Sequence, residues 1–138
     1  MTAGVVLAAG PGTRLGELGM RLPKAMVPVA GQPHLERLAR FLLGAGLSPV
    51  VVAVHHHADL IRRHFAASQS WPGLVFVTTR QGGTGADLLE CLAVMPDEPF
   101  VVWNGDTIVD LDLPAFLNYT RQAPSRGMVV QPRTRETA

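Results

Sequence analysis

Short apolar runs, rich in β-branched residues, alternate along this chain with longer segments whose apolar residues recur at helical spacing. The short runs indicate strands buried on both faces, and the segments between them indicate crossover helices. We therefore expect an α/β fold, a three-layer α/β/α Rossmann-like sandwich with a mainly parallel sheet. The predicted strands are 3–8, 49–54, 74–78, 100–103 and 127–131, and the predicted helices are 32–45, 58–67, 86–94 and 113–121.

Composition excludes several classes of protein. The chain has 138 residues, 47% hydrophobic and 17% charged, which suits one globular domain, 1–138, and excludes a disordered chain. Cys91 is the only cysteine, so neither an internal disulfide nor a multi-cysteine metal site can form. The net charge of +1 gives no basis for a nucleic-acid or membrane binder. No apolar run is long enough to span a membrane and no signal-peptide layout is present, so we expect a cytoplasmic protein.

A glycine-containing loop follows the first predicted strand, where parallel α/β sheets bind ligands. Small residues there let a ligand approach the backbone, and successive amide groups can surround an anion. Arg14 adds a permanent planar cation suited to phosphate. The pattern is neither the dinucleotide fingerprint, because position 15 is Leu, nor a P-loop. The loop reads Leu7, Ala8, Ala9, Gly10, Pro11, Gly12, Thr13, Arg14, Leu15.

A second candidate cluster, Asn104–Gly105–Asp106, follows the fourth predicted strand. An Asp at the carboxyl end of a strand, after a Gly that permits close approach, is a candidate Mg²⁺ ligand. The alternative is that Asp106 is a solvated or helix-capping loop residue, and the residues alone leave both readings open.

Taken together and in order, these segments resemble the signature of the sugar-phosphate nucleotidylyltransferases, or NDP-sugar pyrophosphorylases. The resemblance covers nearly the whole chain and corresponds to the N-terminal, nucleotide-binding part of the family. It is most similar to the enzymes that act on mannose 1-phosphate, heptose 1-phosphate and N-acetylmuramate 1-phosphate. The matching segments are 7–15, Pro23-Lys24, 28–33, His55-His56, Ala58-Asp59, Gly83-Thr84-Gly85, Asn104-Gly105-Asp106 and 110–113.

The resemblance implies a reaction in which an NTP and a sugar 1-phosphate give an NDP-sugar and pyrophosphate, with Mg²⁺ as cofactor. Positioning and charge neutralisation carry most of such a reaction. By resemblance, Leu7, Ala8, Ala9 and Gly10 line the base and ribose, and Gly12, Thr13 and Arg14 hold the outer phosphates. Lys24, the only lysine, reaches the α-phosphate or the sugar phosphate, and Asp106 holds Mg²⁺. Gly83, Thr84 and Gln81 are expected to contact the base, and Gly105 is expected to line the nucleotide site.

Other polar and aromatic residues have plainer interpretations. His55, His56 and His57 are consecutive, and on an extended segment neighbouring side chains point to opposite sides, which favours a loop role over a metal cluster. Cys91 lies within a predicted helix and is expected to be buried and inert. Trp71 and Trp103 are expected to pack within the fold. Asp110 and Asp112 are candidates for capping the last helix.

The chain also departs from the family. Glu17 and Gly19 replace the Pro and Thr common after the Arg-Leu pair, and Asp87 stands where a small residue is usual. The family continues with strands that complete the sugar pocket, so the domain is expected to be truncated at its C-terminus. Two alternatives therefore accompany the enzyme hypothesis: a nucleotide-binding or regulatory module without turnover, and a remnant that self-associates. The edge beside the fourth strand is expected either to pair with the predicted strand 127–131 or to be covered by a second copy of the chain, and we expect the homodimer.

Overall fold

The computed structural model describes residues 2–10, 16–68, 70–107 and 109–122. The chain divides into two compact units, 1–107 and 108–138. The strands are β1 (Ala3–Leu7), β2 (Pro28–Val29), β3 (Gln32–Pro33), β4 (Val50–Val54), β5 (Leu74–Thr78) and β6 (Phe100–Asn104). The α-helices are α1 (Glu17–Arg21), α2 (His34–Gly44), α3 (Ala58–Ser68), α4 (Thr84–Leu92) and α5 (Leu113–Gln122).

Four strands of the first unit form one parallel sheet in the order β5-β4-β1-β6. The central strands β1 and β4 run in register from Gly4 opposite Val50 to Leu7 opposite Ala53. Every residue of β4 is buried, as expected for a strand covered on both faces. The α/β fold class and the parallel sheet predicted from the sequence are confirmed.

Helices α2 and α3 cover one face of this sheet. Phe76 of β5 and Trp103 of β6 occupy that face, because both belong to the register set of Val52 and Val6. The Phe65 ring of α3 lies 5.2 Å from the Phe76 ring, and Phe41 of α2 meets Trp103 edge-on at 5.5 Å. Trp103 therefore packs inside the fold, as expected.

Helix α4 covers the other face. Its Cys91 is fully buried in a cluster with Val5, Ala9, Val51 and Ala53, which alternate with the side chains of the first face. Burial raises the pKa of the Cys91 thiol to about 11, so the inert, buried cysteine predicted from the sequence is found.

Helix boundaries differ from the prediction where prolines and glycines set them. Gln32 and Pro33, predicted as helical, pair instead with Pro28 and Val29 as an antiparallel ribbon, and α2 begins at His34. Helix α4 begins two residues earlier than predicted, at Thr84, because Gly83 takes a φ of 99° at its N-cap. The sequence did not predict helix α1, this ribbon or the 3₁₀-helix over Lys24–Met26, because these short elements lack the long apolar periodicity on which the prediction rested.

The second unit contributes one described helix, α5. The backbone amide of Ala115 donates to Asp112 Oδ1 at 3.0 Å, so Asp112 caps this helix as predicted. The predicted strand 127–131 lies outside the described residues. Among the residues described, no helix is long and apolar enough to cross a membrane.

A buried carboxylate joins α2 to α3. Glu36 is 8% exposed, and its Oε2 lies 2.8 Å from His64 Nε2. Its Oε1 accepts from Arg40 at 2.8 Å and from Gln32 at 3.1 Å. The hydrogen bond from Arg40, followed by that from His64, lowers the pKa of Glu36 to about 2.

We predict that Glu36→Gln lowers the free energy of unfolding by about 1–3 kcal/mol at pH 7, because a buried charged acceptor loses its charge. Because the pKa of Glu36 is lower in the folded state, its carboxylate stabilises the fold at pH values above 4.5, the pKa in the unfolded chain. This contribution disappears as the pH falls toward about 2, the pKa in the folded state. The gap between wild type and variant in urea denaturation should therefore close over that interval.

The exposed Asp97 supplies a control, since Asp97→Asn changes a carboxylate that is not buried. A Glu36→Gln gap that stays constant from pH 7 to pH 2 would contradict the assigned role of the charge.

Candidate functional site

The carboxyl ends of β1 and β6 form the topological switch point of the sheet. From β1 the chain proceeds through α2 to β4 and then to β5, and from β5 it crosses back to place β6 on the other side of β1. The loops that follow β1 and β6 therefore diverge and leave a crevice between them, which is where open α/β sheets bind ligands. Both clusters singled out in the sequence begin at this crevice.

Gly105 brings the second cluster against the end of β1. Its amide donates to the Leu7 carbonyl at 2.9 Å. A Cβ at position 105 would lie 2.9 Å from that same oxygen and 3.0 Å from the Ala8 Cβ, so only glycine fits. The close approach expected at Gly105 is thus made by the backbone of β1, and it sets the position of Asp106.

Lys24 and Asp106, which are 82 residues apart, meet across the crevice. Lys24 Nζ donates to Asp106 Oδ2 at 2.7 Å, and the two side chains are 48% and 47% exposed. Lys24 begins the 3₁₀-helix whose Ala25 and Met26 are buried, so its backbone is anchored while its ammonium group remains accessible. The structure therefore brings together two of the three predicted catalytic residues.

The charge on Asp106 is stabilised by its neighbours. The hydrogen bond from Lys24 is the main cause that lowers the pKa of Asp106, and the Thr107 hydroxyl also donates to this carboxylate at 3.4 Å. The carboxylate is consequently ionised at neutral pH. Its exposed oxygen atoms are hard donors of the kind that Mg²⁺ prefers.

The glycine loop is described only in part. Gly12, Thr13 and Arg14 lie outside the described residues, so their predicted contacts with phosphate stay predictions. In the part that is described, the Ala8 amide donates to the Ala53 carbonyl at 3.0 Å. Gly10 is exposed, and apart from its chain neighbours no described residue lies within 4 Å of the position a Cβ would take there.

Gln81 borders the same crevice from the β5 side. Its side-chain amide donates to the Ala9 carbonyl at 3.3 Å, and its backbone has a φ of 58°, in the left-handed region. Such a conformation in a residue other than glycine is strained and is frequent at functional sites. Gly83, the N-cap residue, and Thr84 follow at the start of α4.

No sequence pattern singled out His34, which lies near Asp106 and the Thr107 backbone. This first residue of α2 is 8% exposed, and neither ring nitrogen has a hydrogen-bond partner within 3.5 Å among the described residues. Burial lowers the pKa of His34 even though the negative charge of Asp106 opposes that shift. A lone histidine after a proline carries no motif, so no local signal could have identified it.

The three consecutive histidines do not form the extended segment that the sequence predicts, in which neighbouring side chains point to opposite sides. The chain turns there with a φ of 53° at His57, which places the His56 and His57 rings 4.1 Å apart. His55 Nδ1 donates to the Thr79 carbonyl, and His57 Nε2 donates to the Met20 carbonyl at 2.8 Å. Within the described ranges no group of three His, Cys, Asp or Glu residues could hold a metal ion.

Comparison with known proteins shows the family to which the chain belongs. The profile of the family described as MobA-like NTP transferase domain matches residues 4–137. The chain is 31% identical over 110 residues to D-glycero-alpha-D-manno-heptose 1-phosphate guanylyltransferase of Campylobacter jejuni, covering 79% of this chain and 49% of the relative. It is 36% identical over 109 residues to N-acetylmuramate alpha-1-phosphate uridylyltransferase of Caulobacter vibrioides, covering 75% and 45%. The chain thus spans about half the length of these relatives.

Solved structures share the fold of this chain. HddC from Yersinia pseudotuberculosis complexed with GMP-PN superposes with a TM-score of 0.76 at 29% identity, covering 88% of this chain and 55% of that one. UDP-glucose pyrophosphorylase complexed with UDP-glucose shares the fold, with a TM-score of 0.73 at 20% identity.

We predict that the Lys24–Asp106 pair contributes little to stability, because exposed ion pairs are worth about 0–1 kcal/mol. Asp106→Asn should therefore change the free energy of unfolding in urea by less than about 1 kcal/mol. A loss of several kcal/mol would make the pair a structural element of the fold.

Proposed function

Since the chain belongs to the family of MobA-like NTP transferase domains, we propose that it transfers a nucleoside monophosphate from an NTP to a sugar 1-phosphate. In this reaction an oxygen of the sugar phosphate forms a bond to the α-phosphorus of the NTP. The bond between that phosphorus and the bridging oxygen breaks, and pyrophosphate leaves. The observation that carries the proposal is the Lys24–Asp106 pair at the switch point of the sheet.

The charges of the pair suit this chemistry. Negative charge accumulates on the leaving pyrophosphate and around the α-phosphate during transfer, and fixed cations lower the barrier. We propose that Lys24 exchanges Asp106 for an oxygen of the α-phosphate or the sugar phosphate when substrate binds. No covalent nucleophile is required, because positioning and charge neutralisation are sufficient.

Asp106 is the proposed Mg²⁺ ligand. Mg²⁺ is held in many phosphate sites by one or two carboxylates together with substrate oxygens, so a single exposed carboxylate beside the crevice fits it. When bound, the ion would neutralise phosphate charge. Release of Asp106 from Lys24 would free one oxygen atom for the ion and the ammonium group for a phosphate.

The remaining predicted residues complete the proposed nucleotide site. Leu7 to Gly10 and Gly105 would line it, Gln81, Gly83 and Thr84 would contact the base, and Gly12, Thr13 and Arg14 would hold the outer phosphates. The exposed Gly10 and Asn104 and the contact between Gln81 and Ala9 support this placement. We keep the cytoplasm as the expected location.

We predict that NTP raises the midpoint of thermal unfolding more in the presence of Mg²⁺ than in EDTA, because a ligand that binds only the folded state stabilises it. Asp106→Asn should remove the Mg²⁺-dependent part of this shift. Asp97→Asn, an exposed carboxylate before β6, should retain it. A shift that is independent of Mg²⁺ in the wild type would remove Asp106 from the proposed metal site.

Pyrophosphate release distinguishes the enzyme from a module that only binds nucleotide. The chain is incubated with an NTP, Mg²⁺ and a panel of sugar 1-phosphates, and pyrophosphate is measured. Release that depends on the sugar phosphate supports the transferase, whereas stabilisation by NTP without release supports the binding module.

We also propose that two copies associate through β6. Among the described strands β6 pairs only with β1, and its Phe100 and Val102 are 40% and 42% exposed. Unpaired edges with apolar side chains favour pairing with another chain, and a symmetric dimer covers two edges with one surface.

This proposal predicts that sedimentation equilibrium shows a dimer. Val102→Glu should weaken the dimer, because the substitution places a charge on the exposed face of the edge strand. Asp97→Asn serves as the matched surface control. A wild-type monomer at high concentration would overturn the dimer.

A further inference from the structure

Asp87 is a buried carboxylate that the proposed function leaves unexplained. It lies within the first turns of α4 and is only 6% exposed. Its backbone amide donates to the Gly83 carbonyl at 2.9 Å, as the helix requires. Its Oδ1 atom, in contrast, is fully buried and has no hydrogen-bond partner among the described residues.

A buried acceptor without a hydrogen-bond partner requires a physical explanation. A buried polar atom without a partner loses its hydration and gains nothing in return, so such atoms are rare in folded proteins. The helix dipole makes a negative charge near the N-terminus of α4 acceptable, but it supplies no proton to Oδ1. No described residue donates to Oδ1, so a bound ligand can supply the missing donor.

The position of Asp87 indicates where that donor comes from. One turn further along α4, Cys91 packs with Ala9 and Ala53 at the ends of β1 and β4. Because α4 connects two parallel strands, its N-terminal turn lies at the carboxyl edge of the sheet, at the end where Gln81 contacts Ala9. Asp87 therefore lies at the proposed base end of the site, between the apolar cluster and the glycine turn.

That turn offers a ligand access. Gly83 has a φ of 99°, and a Cβ at Gly82 would lie 2.9 Å from the Ala86 Cβ, so neither position accepts a side chain without strain. The turn before α4 therefore carries no side chain at positions 82 and 83, so a ligand can approach its backbone closely.

We infer that Asp87 recognises the base of the bound nucleotide and selects guanine. The inference rests on the proposed nucleotide site and adds the identity of the base. The Watson–Crick edge of guanine carries two adjacent donors, N1–H and the 2-amino group, and a carboxylate carries two adjacent acceptors. Ionised acceptors make the stronger hydrogen bonds, and a bidentate pair adds geometric selectivity.

The other bases fit this carboxylate less well. Uracil places carbonyl oxygens on both sides of its single N3–H, and these would face the negative charge. Adenine and cytosine each set one amino group beside an unprotonated ring nitrogen, which also repels an acceptor. A site that contains a buried acceptor discriminates strongly against ligands that leave it unpaired.

Dissociation constants for GTP, ITP, UTP, CTP and ATP, measured by calorimetry on the wild-type chain with Mg²⁺, test the inference. GTP should bind most tightly. ITP, which lacks only the 2-amino group, should bind roughly 10-fold or more weakly, because one charge-assisted hydrogen bond is lost. This comparison needs no variant, so it does not depend on the folding of a mutant.

Asp87→Asn supplies the complementary test. Its amide should reject the 2-amino group of GTP and donate to the C2 carbonyl of xanthosine triphosphate, so that the preference reverses in favour of the latter. The expected change in the ratio of the two dissociation constants is on the order of 100-fold. Asp97→Asn, an exposed carboxylate at the opposite edge of the sheet, should leave the ratio unchanged.

Three results would overturn the inference. Equal affinities for GTP and UTP in the wild type, or an unchanged preference in a folded Asp87→Asn variant, would refute base selection by Asp87 and leave the proposed function standing. Failure of every NTP to bind the wild-type chain would refute the proposed function as well.

Discussion

The contact between Gly105 and the end of β1 is the constraint on which the candidate site depends. Parallel pairing runs from Ala3 opposite Phe100 to Leu7 opposite Asn104, and Gly105 then closes to 2.9 Å on the Leu7 carbonyl. A side chain at position 105 would separate the two strand ends. Through this contact Asp106 is placed beside β1, within reach of an ammonium group 82 residues earlier in the chain.

The main stabilising interactions of this unit lie apart from the candidate site. The stabilising interactions lie in the sheet, where β4 is buried throughout, and between α2 and α3, where Glu36 is held by three donors. The crevice, by contrast, holds an exposed ion pair and a left-handed Gln81. Exposed charges cost little to rearrange, so ligands can displace them without unfolding the surrounding strands.

Two polar side chains near the crevice are buried, unlike the exposed Lys24–Asp106 ion pair. His34 and Asp87 each carry side-chain atoms without a partner among the described residues. Neither was identified as functional from the sequence, although Asp87 was noted as a departure from the family. Their significance depends on burial, and burial depends on which strands and helices pack around them. A single-residue pattern contains no information about that packing.

The sequence alone determined the four strands of the main sheet, the helices α2 to α5 and their order, because apolar periodicity and glycine or proline punctuation act over a few residues. It also identified Lys24, Gln81 and Asp106 as candidates. Only the tertiary structure decided that Lys24 meets Asp106, that the ribbon of Gln32 and Pro33 delays α2, and that His56 lies beside His57. These contacts depend on strand order and backbone turns, which arise when distant segments pack together, so no local pattern specifies them.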